Sequence, residues 1–124
     1  MSTTLNITAD QGSSLSYVFT LKDTGNSPFD LTDYDARLQV RRTFGDTAIL
    51  VNCTLANSKL VKTNAAGGVL TLGIAPADTT GIRFNNKDDD TLEAVYDLEI
   101  QSNTTGKVHK PARGTFTLNR EVTR

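Results

Sequence analysis

Asp88-Asp89-Asp90 is the run in this chain best suited to bind a ligand, because clustered carboxylate oxygens are what a hard cation such as calcium takes. The run lacks the alternating ligand spacing and the glycine of an EF-hand loop. It therefore reads as a solvated loop, with Asp88, Asp89 and Asp90 as the positions for a metal if one binds. His109 is the only histidine, and without a second His or a nearby Cys it completes no common zinc set. No Ser or Asp spacing places it in a triad, so an exposed position at a strand end is expected. Cys53, in Ile49-Leu50-Val51-Asn52-Cys53, reads as a packed, inert thiol rather than a nucleophile.

The remaining patterns lead no further toward catalysis. Asp97 and Glu99 fall on one side of a strand, but no apolar pocket is evident that would raise one of them into a general acid. Gly67-Gly68 and Gly114 lack the spacing and the Lys-Ser/Thr ending of a phosphate loop, so turns and close strand packing account for them. Arg41-Arg42, Lys107, Lys110 and Arg113 are not interleaved with aromatics, as stacking on single-stranded bases requires. The expectation is a non-enzymatic protein with no cofactor.

The elements that carry these residues read as strands throughout. Leu92, Ala94, Tyr96, Leu98 and Ile100 alternate with polar residues, and Ser102 to Lys107 is turn-rich before Val108 and Gly114-Thr115-Phe116-Thr117-Leu118, which predicts a C-terminal hairpin. Leu15 to Lys22 alternates with its odd positions apolar, and Asp23 to Pro28 ends it. Phe29 and Leu31 are expected to tuck under the core. Asp35 to Arg42 forms a strand with a basic outer face, and Thr47 to Leu55 reads as a strand covered on both faces over part of its length. A short piece at Leu60 to Lys62, a strand at Val69 to Ile74 and one helical turn at Ala75 to Gly81 follow. With Leu5 to Thr8 as an edge strand, this predicts an all-β fold: a single antiparallel, immunoglobulin-like β-sandwich of about seven to eight strands. Opposite charge predicts that the strand bearing Arg37 and Arg41 neighbours the strand bearing Glu93, Asp97 and Glu99, each pair contributing about 0.2–1 kcal/mol.

Composition narrows the function classes. The 124 residues suit one domain, and thirteen Lys and Arg against 14 Asp and Glu leave a net charge of −1, which offers no field to gather nucleic acid or anionic lipid. Weak mutual repulsion of this kind suits a protein that assembles. One cysteine forms no internal disulfide, in keeping with a reducing cytoplasm. Met1 to Leu5 has neither the basic region nor the apolar core of a signal peptide, and no run approaches the roughly 20 apolar residues of a membrane span. The sequons at Asn6, Asn52 and Asn103 are read as accidental.

Three segments carry a family resemblance: Ser27-Pro28-Phe29-Asp30-Leu31-Thr32-Asp33-Tyr34 with Ala36 to Arg41; Ala94 to Ile100; and Gly114 to Leu118 with the ending Glu121-Val122-Thr123-Arg124. Over residues 10 to 124 the chain resembles the small β-sandwich virion proteins of tailed bacteriophages, similar to the N-terminal domain of upper baseplate proteins. The resemblance implies a structural role in a particle made in the host cytoplasm, with other virion proteins and copies of itself as partners, and no nucleic acid or membrane. The chain ends where that domain would end, which favours an adaptor, connector or decoration subunit over host binding. Residues 1–8 are expected to form an N-terminal arm and residues 120–124 a tail, with Leu5, Ile7, Arg120, Val122 and Arg124 touching partners. Baseplate or tail is the first reading and capsid decoration the second. A carbohydrate-binding sandwich is the third, weakened by the lack of Trp and the scarcity of Tyr.

Overall fold

The computed structural model describes residues 3–122. Nine strands and one short helix follow in order: β1 (Thr3–Thr4), β2 (Ile7–Asp10), β3 (Leu15–Thr20), β4 (Tyr34–Arg41), β5 (Val51–Thr54), β6 (Leu60–Asn64), β7 (Val69–Ile74), α1 (Pro76–Thr80), β8 (Thr91–Ser102) and β9 (Val108–Asn119). The large sheet has the order β1-β9-β8-β4-β5 with β2 also on β9, and the small sheet the order β3-β7-β6. The chain is an all-β sandwich. A hairpin β8–β9 flanked by β4 and β5 faces a sheet of three strands, which is an immunoglobulin-like arrangement.

Period-2 alternation places one face of each sheet inward. Leu92, Ala94, Tyr96, Leu98 and Ile100 of β8 are buried with Phe116 and Leu118 of β9, and they meet Phe19, Leu60, Leu70 and Leu72 from the small sheet in one core. Leu31 is fully buried in the β3–β4 connection, as its position after Phe29 predicts. Lys62 fixes that connection by donating to the carbonyls of Leu31 (3.2 Å) and Tyr34 (3.1 Å). Asn26, in the turn that ends β3, has φ 65°, one of the conformations that Asn tolerates. The β8–β9 register shifts between Leu98 and Ile100, where β9 carries one extra residue beside Pro111, which has no N–H to give the ladder.

Two elements differ from the sequence reading. The N-terminal segment is two strands, β1 and β2, and both run parallel to β9, so the large sheet is mixed rather than wholly antiparallel. Asn6 between them accepts from the Thr115 amide (3.2 Å) through its side chain, and the Leu5 amide donates to the Arg113 carbonyl (2.8 Å). The second difference is the apolar run before Cys53. β5 begins only at Val51 and is an edge strand, and Ile49 is 40% exposed. The cause is Arg41, whose guanidinium binds the carbonyls of Asp46 (2.9 Å) and Thr47 (2.8 Å) and holds those residues in a turn instead of a ladder.

Gly114 permits the parallel border. A Cβ there would collide with the Leu5 carbonyl, whereas a Cβ on Gly73 would meet open space. Gly114→Ala is expected to lower unfolding free energy by about 1–3 kcal/mol through overpacking. Gly73→Ala should stay within about 0.5 kcal/mol of wild type. Urea denaturation of both variants checks the contrast, and equal effects would refute it.

Candidate functional site

The solvent face of the large sheet carries a charge ladder. In the β4–β8 register Arg37 stands opposite Glu99, Gln39 opposite Asp97 and Arg41 opposite Val95. Arg37 donates through Nε to Glu99 Oε1 (2.9 Å), with a second nitrogen at 2.6 Å, and Lys110 on β9 lies 3.3 Å from Asp97 and 4.0 Å from Glu99. The predicted neighbourhood of these strands and the pairing of Arg37 are therefore observed. Arg41 and Glu93 do not join it: Arg41 turns to the Asp46–Thr47 turn and to Gln39 Oε1 (3.0 Å), while Glu93 faces Thr117 across β9. The Arg37 side chain is 58% exposed, so its pair contributes only about 0.2–1 kcal/mol. Above the ladder is an open cleft of about 430 Å³ with Phe44, 82% exposed, on its rim. Within the ladder, Glu99 is paired with Arg37 and Asp97 with Lys110.

The acidic run lies in the loop between α1 and β8, and its backbone is what the fold uses. Arg120 donates from one guanidinium nitrogen to the carbonyls of Asn86 (3.3 Å), Lys87 (2.6 Å) and Asp89 (3.1 Å), and the guanidinium sits 5.0 Å from the centre of the Phe84 ring. The Arg120 amide reaches the Asp90 carbonyl at 2.8 Å. Asp89 accepts from the Asn86 amide (3.0 Å), closing the turn on itself. Asp88, Asp89 and Asp90 are not brought together with further ligands: among the described residues no three His, Cys, Asp or Glu side chains could hold a metal ion.

Cys53 is fully buried, and burial pushes its thiol up to about 12, with Lys59 pulling less strongly the other way. A thiol in that state is not a nucleophile. Beside it, Asp78 on α1 accepts from Lys59 Nζ (2.7 Å) and from the Ala75 amide (2.7 Å). Burial raises the Asp78 carboxyl, but those bonds outweigh it and hold the group below its ordinary 3.8. Its contribution is present above that value and is lost as pH falls through the folded-state value. Asp78→Ala should therefore lower stability at pH 7 by about 0.5–2 kcal/mol, with the gap to wild type narrowing below pH ~4. Thermal melts of both proteins across pH 3–7 test this; a gap that widens in acid would contradict it.

His109 is exposed near the start of β9, with its ring 6.0 Å from Phe29 and 6.3 Å from Tyr34. The residues expected to touch partners are placed differently from one another. Ile7 is 2% exposed and sits in the chain's own core, so it is not available as a surface contact; the alternation of β2 turns it inward opposite Phe116. Leu5 packs against that core, and its carbonyl accepts from the Tyr96 hydroxyl at 2.6 Å. Arg120 spends its guanidinium on the acidic loop, Val122 is 92% exposed, and Arg124 lies outside the described residues. Gln11 was not anticipated. Its side chain donates to the carbonyls of Thr79 and Ile82 (3.1 Å each) and accepts from the Glu121 amide (3.2 Å), tying α1 and the C-terminal segment to β2. One amide at a strand end makes no pattern that sequence reading could use. No family model matches the chain, and no curated protein matches it significantly.

Proposed function

We propose that this protein is a non-enzymatic structural protein of a bacteriophage particle, a baseplate or tail component that packs in several copies through strand edges and loops. The observation that supports this reading is how the polar groups are spent. Arg41, Lys62, Gln11 and Arg120 bind the chain's own carbonyls, and the thiol is buried, while among the described residues no further strand lies on the outer edges of the two sheets. Open edges are sites at which another strand can be added.

Cross-linking mass spectrometry on purified virions tests the reading. Links to tail-tube or baseplate subunits are expected. Links confined to the major capsid protein would move the protein to capsid decoration, and its absence from particles would overturn the proposal.

A further inference from the structure

The edges of the sandwich are not equally protected. The border formed by β1 and β2 is broken into two and four residues, and β5 is four residues long. β6 carries Lys62 and a register irregularity between Val61 and Asn64. These are the devices by which proteins keep edges from pairing. β3 has none of them. Leu15-Ser16-Tyr17-Val18-Phe19-Thr20 runs six residues in unbroken register against β7, with no charge, proline, glycine or bulge, and no strand lies on its other side among the described residues.

The direction of its free groups follows from one bond. The Leu21 amide donates to the Gly68 carbonyl (2.8 Å), one step past the Thr20–Val69 pair. Alternation then turns the backbone groups of Leu15, Tyr17 and Phe19 onto β7, and those of Ser16, Val18 and Thr20 outward. We propose that β3 is a self-association edge, joining two copies antiparallel about a two-fold axis at Val18, so that two three-stranded sheets become one of six strands. This rests on the reading that the chain assembles through its edges, and it names the edge and the occupant.

A second copy is favoured over a foreign strand because β3 complements itself in this register. Val18 faces Val18, and Ser16 faces Thr20 in both directions, so all three outward residues exchange both their backbone bonds. Each strand contributes the same donors and acceptors, as an isologous contact requires. On the solvent face Val18, 57% exposed in the single chain, is covered by its own counterpart, and Ser and Thr hydroxyls meet across the strands. On the inner face Tyr17 comes opposite Phe19 of the second copy, at the mouth of an open seam of about 530 Å³ lined by Leu5, Tyr17, Pro111 and Ala112. A charged residue at the axis would meet itself, and the strand has none.

Sedimentation equilibrium and disulfide trapping of the full chain test the proposal. Wild type is expected to dimerise, and Val18→Lys, which sets two ammonium groups across the axis at an exposed position, to weaken dimerisation at least tenfold with an unchanged circular dichroism spectrum. Val18→Cys should give a covalent dimer on oxidation, since paired Cα atoms about 5.5 Å apart suit a disulfide. Thr63→Cys, on the solvent face of β6, should not. A wild-type chain monomeric at every concentration measured would overturn the proposal and leave the edge to a different protein. A dimer that survives Val18→Lys, with no cross-link through Cys at position 18, would overturn it in favour of another surface. A monomer that still enters particles would sink this inference alone, and a β3 dimer absent from particles would sink only the virion reading.

Discussion

Tyr96→Ala is expected to lower the unfolding free energy by about 3–5 kcal/mol, the loss seen when a large buried aromatic is removed. Tyr96 is 2% exposed near the middle of β8, and its hydroxyl donates to the Leu5 carbonyl at 2.6 Å. Burial, together with the nearby Tyr17, pushes its phenol up to about 12, so the proton stays in place to donate at any ordinary pH. Tyr96→Phe separates the two contributions. It keeps the ring but leaves the Leu5 carbonyl without that donor, and about 1–3 kcal/mol should be lost. Urea titration with an unchanged m-value is the measurement. If Tyr96→Phe equals wild type, the hydroxyl does not hold the N-terminal strand, and if Tyr96→Ala loses under about 1 kcal/mol the ring is not a core anchor.

Ile7→Ala should lower stability by about 2–5 kcal/mol. Ile7 stands opposite Phe116 in the parallel β2–β9 pair and is 2% exposed. A free arm would lose nothing measurable from this substitution, so the experiment decides between an arm and a core strand. It also alters the meaning of a truncation: deleting residues 1–8 takes Ile7 out of the core and removes the acceptor of Tyr96. Such a truncation is therefore expected to lower the melting temperature. A truncated chain with wild-type stability would refute the assignment of β2 to the core.

The readable parts of this fold are those whose cause is local. β8 and β9 each alternate over most of twelve residues, and the Ser102–Lys107 turn lies between them, so the hairpin follows from period and turn chemistry alone. The Arg37–Glu99 contact was legible because opposite charges on two outer faces pick out neighbours. The parts that could not be read depend on distant groups. The parallel docking of β1 and β2 needs a missing Cβ at Gly114 and a hydroxyl at Tyr96, neither of which marks the N-terminal sequence. The late start of β5 depends on where the Arg41 guanidinium turns, and an arginine in a strand pattern does not announce that. Of the residues suited to chemistry, Cys53 and His109 lie where their types and neighbours suggested, whereas Arg120 serves the acidic loop instead of the surface.

The parallel border between β2 and β9 also sets an order of events during synthesis. Asn6 and Thr115 are 109 residues apart, so the first strands leave the ribosome long before the strand that receives them exists. Until β9 emerges, Ile7 and Ala9 have no sheet to join, and Tyr96 has reached the chain without its closing neighbour on Gly114. Contacts this remote in sequence slow folding, because loop closure must come before any gain from pairing. The sandwich therefore completes only after translation has passed Leu118. In that interval the uncharged β3 is already made, in a growing cohort of nascent chains whose edges are bare.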